Sequence, residues 1–288
     1  MKKKQAALMA ILGGIAVLSI KLVAFFVSDS VALLSDALES IVNIAASGLM
    51  FFSVWLSEKP ADDSHNYGHQ KIEEVSCMIE GILIIAAALL IVYTSATRLS
   101  SKALPTQLNL AIGISMSATA VNGLLSWFLL RSAQKNGSAA LEGDSKHLLS
   151  DVISSVGIWI GLFIVELTGW GPLDSFLALA IAALIGRMGI NLVTKSCQRL
   201  MDKSCKEEET KIREVLLRHK FRFIDFHDMK TRRHGNQVFA ELHLSVDGSL
   251  SVNEAHTLTD HLENELKSEL PNTSLTIHVE PKNISDAN

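Results

Sequence analysis

The sequence is poor in cysteine and carries no excess of positive charge. Its three cysteines, Cys77, Cys197 and Cys205, have neither paired nor CxxC spacing, so they predict neither a disulfide framework nor a zinc knuckle. A net charge of -4 gives no electrostatic footprint for nucleic acid. The chain also lacks an HExxH motif, a Ser/His/Asp arrangement and a glycine-rich phosphate loop. We therefore expect neither nucleic-acid binding nor enzyme activity.

Apolar residues, by contrast, are abundant and unevenly distributed. They make up 48% of the 288 residues, and long apolar runs fill the first two-thirds, whereas the last third has the composition of a soluble domain. Segments of about 20 apolar residues predict five or six membrane helices, and six spans can be placed in order within an all-α membrane domain over residues 1–200. Lys and Arg near the predicted helix ends are concentrated on one side. By the positive-inside rule both termini are then cytoplasmic, and the second and fifth spans run antiparallel.

Two polar pairs lie inside these spans, where ionisable side chains are costly and usually face a partner or an ion. His147 and Asp151 are four residues apart in the fifth span, and Glu39 and Asn43 repeat that spacing in the second. Residues four apart share one face of a helix. If the two faces meet, they offer one imidazole, two carboxylates and an amide oxygen to a single cation, and zinc usually takes four ligands. The alternative is that these groups only hold the helices together.

The polar link between the second and third spans contains another candidate site. Its segment PADDSHNYGH holds Asp62, His65 and His69 within one loop. Imidazole nitrogens and carboxylate oxygens are the ligands that zinc prefers, so this cluster suits a metal site at the surface. A solvated loop that binds no metal is the alternative.

The soluble part covers residues 201–283 and is followed by a short tail, residues 284–288. Its hydrophobic periodicity alternates between helix and strand in the order αββαβ, which predicts a small sandwich with helices on one face of a sheet. In chain order the predicted elements cover residues 207–219, 222–233, 237–246, 251–270 and 274–280.

Alternation along the predicted strands sorts their side chains onto two faces. His227, His243 and His278 lie on faces away from the apolar core positions, and Glu280 shares the parity of His278. His256, on the second helix of the soluble part, can join them. Exposed histidines that bind no metal are the alternative.

Together these motifs resemble the cation diffusion facilitator family, whose members are divalent-metal/proton antiporters, over nearly the whole chain. The resemblance is carried by ALLSDALESIVN, PADDSHNYGH and HLLSDVISSVG in the membrane part. In the soluble part it is carried by HDMKTRR, HLSVD, EAH and IHVEP. The family implies six spans, a cytoplasmic ferredoxin-like domain and a two-fold dimer.

The same resemblance implies three metal sites and one ion pair. The transport site would consist of Glu39, Asn43, His147 and Asp151. The loop site would consist of Asp62, His65 and His69. A dimer-stabilising cytoplasmic cluster would consist of His227, His243, His256, His278 and Glu280. A charge interlock between the two parts of the chain would join Lys71 to Asp202.

The second span departs from the family pattern. Zinc-selective members usually have Asp or His, followed by Asp, where this chain has Glu39 and Asn43. An Asn side chain cannot ionise and contributes a hard carbonyl oxygen, and oxygen-rich sites suit manganese or ferrous iron better than zinc. We therefore expect Zn²⁺, Fe²⁺ or Mn²⁺ as substrate. Glu39, His147 and Asp151 can exchange protons for metal, but Asn43 cannot.

The sequence thus predicts a divalent-cation efflux transporter of the inner membrane, a homodimer embedded in lipid. It would work by proton antiport with alternating access, because metal ligands must lose protons to bind the ion. The same ions would serve as structural or regulatory ligands in the soluble part. The alternative is a non-transporting, membrane-anchored metal sensor or scaffold of the same fold, and Asn43 is the feature that motivates it.

Overall fold

The computed structural model describes residues 2–28, 31–98, 108–168 and 172–282. The predicted tail, residues 284–288, lies outside the described residues. So do some side chains within the helices, including that of Glu39. The chain divides into two compact units, Met1–Cys197 and Gln198–Asn288, and each is described by itself.

Within the described residues, the first unit is built from six long helices. They are α1 (Lys3–Ser28), α2 (Val31–Ser57), α3 (Ile72–Arg98), α4 (Leu108–Asn136), α5 (Ala139–Thr168) and α6 (Pro172–Leu200). Among the described residues, two segments, Lys3–Val23 in α1 and Ile72–Tyr93 in α3, are long and apolar enough to cross a membrane.

Local chemistry explains where several of these helices begin and end. Pro172 is the first residue of α6, a position where its missing N–H would have no partner within the helix in any case. Between α4 and α5 the backbone of Gly137 adopts a φ of 59°, a left-handed conformation that glycine takes without a steric penalty. The chain can therefore leave α4 at Asn136 and start α5 only three residues later, at Ala139.

Small residues set the spacing of the helices around α5. This helix packs against α3 and α4, and α1 packs against α2 and α4. A Cβ atom at Gly143 would lie 3.2 Å from Cα of Cys77 and 3.1 Å from Cγ of Glu80, so a larger residue would fit this approach of α5 to α3 only if its neighbours moved by a few tenths of an ångström. Buried apolar side chains fill the space between α2 and its neighbours, among them Met50 and Leu129.

The second unit consists of α7 (Lys206–Arg218), β1 (Asp225–His234), β2 (Gln237–Asp247), α8 (Val252–Glu269) and β3 (Thr273–Lys282). This is the predicted αββαβ order. The strands form one sheet in the order β1–β2–β3, in which β2 is antiparallel to β1 and parallel to β3.

One face of this sheet is covered by the helices. Leu242 and Leu244 on β2 are buried in a core that they share with Leu262 on α8 and Leu216 on α7. Helix α8 begins at a capping box, in which Ser251 accepts from the N–H of Glu254 and the Glu254 carboxylate accepts from the N–H of Ser251. Since β2 residues alternate in direction, His243 projects from the face opposite the helices.

The first strand starts later than predicted. The prediction placed a strand over residues 222–233, but Lys220–Arg222 form a single 3₁₀ turn and β1 begins at Asp225. The cause is the partner strand, since the pairing of β1 with β2 begins at Asp225 opposite Ser245. The register also shifts between His227 and Lys230, where Asp228 has a φ of 50°. Such a bulge adds one residue to one strand, so the side-chain alternation that holds before it is reversed after it.

Candidate metal sites

Asn43 on α2 contacts both members of the polar pair on α5. Its Nδ2 donates a hydrogen bond to Oδ2 of Asp151 over 2.7 Å, and its Oδ1 lies 3.0 Å from Nε2 of His147. Because an amide oxygen only accepts hydrogen bonds, the imidazole carries a proton on Nε2 in this arrangement. His147 is buried and Asp151 is partly buried. The structure therefore brings together three of the four predicted transport-site residues.

A second contact, one turn away, gives the relative direction of the two helices. Ser47 follows Asn43 on α2 and donates its hydroxyl to Oδ1 of Asp144 over 3.0 Å, and Asp144 precedes His147 on α5. Moving forward along α2 thus means moving backward along α5, so the helices are antiparallel, as predicted. The small, buried Ala46 between these contacts suits a close helix approach.

Two carboxylates that were not predicted as site residues also lie in this region. Glu80 on α3 and Asp144 on α5 are both 0% exposed. Oε2 of Glu80 is 3.8 Å from Nδ1 of His147, and neither oxygen of Glu80 has a hydrogen-bond partner among the described residues. A carboxylate beside the second nitrogen of an imidazole orients the ring for metal binding. In the sequence, Glu80 is recognisable as a charged residue deep in the third span, but the sequence does not identify which residue it contacts.

The side chain of Glu39, the fourth predicted ligand, lies outside the described residues. Its backbone position on α2 is one helical turn before Asn43. The described ligand atoms are therefore one imidazole nitrogen, one carboxylate and one amide oxygen. The participation of Glu39 stays a prediction.

The loop between α2 and α3 brings its three predicted ligands together. Asp62 has Oδ1 3.2 Å from Nδ1 of His65 and Oδ2 3.4 Å from Nε2 of His69. One ligand atom from each residue lies within 4.8 Å of the others. Gly68, with a φ of 86°, turns the backbone directly before His69.

Local hydrogen bonds keep the Asp62 carboxylate in its charged form. The backbone N–H groups of His65 and Ser64 donate to Oδ1 over 2.7 and 3.0 Å. Chiefly because of the bond from His65, the pKa of Asp62 is held below its ordinary value. The loop thus presents an ionised carboxylate to two imidazoles, an arrangement that can hold one divalent ion.

Three predicted histidines of the second unit form a row across the sheet. His227 is the register partner of His243, which is in turn the partner of His278. Their ring centroids are 5.3 and 4.8 Å apart along the row. Glu280 has Oε1 2.8 Å from Nδ1 of His243 and Oε2 3.4 Å from Nε2 of His227. Nε2 of His278 lies 3.9 Å from the same carboxylate. Strand register therefore assembles four members of the predicted cluster.

The fifth member, His256, is placed elsewhere within the protomer. Its side chain is 73% exposed on α8, with Nε2 3.5 Å from Oδ2 of Asp260. Its participation in the cluster stays a prediction. Asp228, which was not predicted, lies near the row instead, with Oδ2 3.9 Å from Nε2 of His243. A hydrogen bond from Lys230 lowers the pKa of the Asp228 carboxyl below its ordinary value.

The two residues of the predicted interlock belong to different units. Lys71 directly precedes α3 in the first unit, and its carbonyl accepts from the N–H of Glu74 over 3.0 Å. Asp202 follows α6 in the second unit and has a φ of 56°. Their pairing stays a prediction.

Two protein-family models match the sequence, and together they cover nearly all of it. The model described as the cation efflux transmembrane domain matches residues 7–201. The model described as the cytoplasmic domain of cation efflux proteins matches residues 205–282.

Curated proteins of similar sequence align over almost the full chain. An uncharacterized transporter of Synechocystis sp. is 35% identical, over 96% of this chain and 89% of that protein. The cation-efflux pump FieF of Shewanella oneidensis is 29% identical, over 96% of this chain and 94% of the pump. Among solved structures, the metal-bound C-terminal domain of the CzcD transporter from Thermotoga maritima is 34% identical, over 26% of this chain and 87% of that one, with a TM-score of 0.25.

Proposed function

We propose, because the chain belongs to the cation diffusion facilitator family, that it exports divalent metal cations from the cytoplasm in exchange for protons. Members of this family are membrane-embedded cation efflux transporters, and the apolar helices of the first unit agree with that setting. The proposal includes six membrane spans in the inner membrane, cytoplasmic termini, a ferredoxin-like soluble domain and a homodimer.

The observation that carries the proposal is the contact of Asn43 with both His147 and Asp151. A hydrogen bond between membrane helices contributes about 0.6 kcal/mol on average. A charged Asp at the centre of a membrane helix costs about 2.5–3.5 kcal/mol. One such hydrogen bond therefore offsets only part of the cost of Asp151, and a cation bound beside the carboxylate would offset more. This comparison favours an ion-binding role over purely structural contacts.

The donor atoms suggest which cations are carried. Asn43 and Asp151 present oxygens and His147 presents a nitrogen. With the predicted carboxylate of Glu39, the set holds three oxygen-bearing side chains and one imidazole. Such a set suits Mn²⁺ and Fe²⁺ as well as Zn²⁺, and we propose these three as substrates.

Proton exchange follows from the chemistry of these ligands. His147 must lose the proton on Nε2 before that nitrogen can bind a metal. In the other neutral tautomer the proton lies on Nδ1, and that N–H would point toward Glu80, whose Oε2 is 3.8 Å away. The protons exchanged for metal would then come from the carboxyl groups of the site or from a doubly protonated His147. We propose that Glu80 is a positioning residue for the imidazole. A site that opens alternately to the two sides of the membrane would then carry metal outward and protons inward.

Flux measurements in proteoliposomes test the transport site. We expect Asp151→Ala and Glu39→Ala to abolish metal-coupled proton flux for Zn²⁺, Fe²⁺ and Mn²⁺. Ser53→Ala is the matched control, because among the described residues the Ser53 hydroxyl donates only to the carbonyl of Met50 within α2, over 3.0 Å. Wild-type flux in both site variants would refute the site.

The second candidate function is that of a metal sensor or scaffold that does not transport. The row of His227, His243 and His278 with Glu280 favours it, because this cluster is assembled without the membrane helices. Metal-dependent dimerisation without any metal flux would establish this alternative. Loss of dimerisation in His243→Ala, with flux retained, would instead separate the cytoplasmic cluster from the transport site.

A further inference from the structure

A second group of histidines and a carboxylate lies in the helix layer of the second unit. His219 follows α7 directly as its C-terminal capping residue, while His261 and Glu265 are four residues apart on α8. The helices cover one face of the sheet, and His243 of the predicted cluster projects from the other. This group is therefore separate from the row on the sheet.

The three side chains converge on one point. Nε2 of His219 contacts Oε2 of Glu265, and Nε2 of His261 lies 3.7 Å from the same oxygen. The two imidazole rings are nearly perpendicular, at 87°, with centroids 4.9 Å apart. One ligand atom from each residue lies within 4.8 Å of the other two.

His219 is poorly satisfied without an additional partner. Its side chain is 15% exposed, and neither ring nitrogen makes a hydrogen bond among the described residues, despite the contact with Glu265. A fully buried polar group without a hydrogen bond costs about 1–3 kcal/mol, and the partly buried imidazole of His219 incurs part of that cost. A metal ion between the imidazoles and the carboxylate would bind the Nε2 lone pair and remove part of this cost.

The other carboxylate oxygen of Glu265, Oε1, lies near the guanidinium of Arg218. Nη2 of Arg218 lies 3.9 Å from Oε1 of Glu265 and also contacts Glu269. The guanidinium thus occupies the side of the carboxylate that faces away from the histidines. A charged neighbour of this kind orients a ligating carboxylate and leaves Oε2 for an ion.

We propose that His219, His261 and Glu265 form a further divalent metal site. Two imidazole nitrogens and one carboxylate oxygen, with a water as fourth ligand, are a set that suits Zn²⁺. The ion would connect the C-terminal end of α7 to the middle of α8. Its role would be to hold these two helices together on the sheet. The proposal does not depend on transport, because none of the three residues belongs to the transport site.

A competing explanation is an ion pair without metal. A protonated His219 at the C-terminus of α7 would interact favourably with the helix dipole and with Glu265. This pair would need no metal and would not need His261. The two explanations therefore differ in how they respond to zinc and to the loss of His261.

The test uses the full-length protein, purified in detergent and stripped of metal. Zinc bound per protomer is measured at equilibrium, and hydrogen exchange of α7 and α8 is followed by mass spectrometry with and without Zn²⁺. We expect His261→Ala to bind one Zn²⁺ fewer than wild type. Zinc should slow exchange at the end of α7 about tenfold in wild type, as expected if a bound ion suppresses local opening, and should not slow it in the variant. His261 is 42% exposed, so the variant should fold.

Two further variants complete the test. Glu269→Gln removes a neighbouring carboxylate that contacts Arg218 but not the histidines, and it should bind zinc like wild type. His261→Cys restores a soft ligand and should recover the bound ion, with a thiolate-to-metal charge-transfer band when Co²⁺ replaces zinc. Equal zinc content in wild type and His261→Ala, with protection of α7 independent of zinc, would overturn the proposal and support the ion pair.

Discussion

Replacement of Asn43 by Asp would change the charge of the transport site while keeping its shape. In the structure, Nδ2 of Asn43 donates to Oδ2 of Asp151 over 2.7 Å. In Asn43→Asp an oxygen takes the place of that nitrogen, so two carboxylates face each other. The contact can persist only if a proton or a metal ion lies between them.

The size of the effect can be worked from this distance. Two unit charges 2.7 Å apart repel by about 6 kcal/mol at an effective dielectric constant of about 20. A proton relieves most of this repulsion at neutral pH, and a divalent ion relieves more because it adds a second positive charge. If only a quarter of the repulsion is left for the metal to relieve, binding tightens by about 1.5 kcal/mol, which is slightly more than tenfold.

We therefore expect half-maximal metal flux in Asn43→Asp at about one-tenth of the wild-type concentration of metal. Flux should also fall more steeply on acidification, because the extra carboxylate competes for protons. The assay is uptake into proteoliposomes at several pH values, with Zn²⁺, Fe²⁺ and Mn²⁺ compared in parallel. Ser47→Ala is the matched control, since it removes the hydrogen bond to Asp144 on the same pair of helices without adding charge.

Two results would refute the reasoning. One is an unchanged half-maximal concentration for all three metals in Asn43→Asp. The other is wild-type transport in Asn43→Ala, since the amide would then contribute nothing to the ion. If the Ser47→Ala control shifted the half-maximal concentration as far as Asn43→Asp, the change would reflect helix packing rather than charge.

Five further substitutions test the packing and the helix cap. Gly143→Ala should impair flux, because the added Cβ would lie 3.2 Å from Cα of Cys77, whereas Gly48→Ala should be tolerated, because no described atom lies within 4 Å of its added Cβ. Leu262→Ala, at a position that is 0% exposed, should destabilise the cytoplasmic part by about 2–5 kcal/mol, measured as faster hydrogen exchange in α8. Ser251→Ala should destabilise the start of α8 by about 1 kcal/mol in the same measurement. The backbone N–H of Ser251 lowers the pKa of Glu254 from 4.5, so the stabilisation from this carboxylate is present above about pH 4.5 and is lost as the pH falls, and Glu254→Gln should remove that dependence.

Patterns that repeat within one helix or one strand could be predicted from the sequence. His147 and Asp151 share a face of α5 because a helix places residues four apart above one another. His243 and His278 lie away from the core because alternate strand residues point in opposite directions. The apolar runs likewise predicted the long helices of the first unit, and hydrophobic periodicity predicted the αββαβ order of the second unit.

The contacts between elements could not be predicted in this way. Asn43 on α2 contacts both His147 and Asp151 on α5, and Glu80 approaches His147 from α3, beside the close packing of α3 against Gly143. The bulge at Asp228 depends on the register of β1 against β2.

The group formed by His219, His261 and Glu265 shows the same division. The spacing of His261 and Glu265 is visible in the sequence, but His219 is 42 residues earlier than His261 and reaches them only because α7 and α8 pack side by side. Periodicity determines which side chains leave an element on the same face. Which faces then meet is decided by the burial of apolar surface between elements far apart in the chain, and that depends on the whole folded unit.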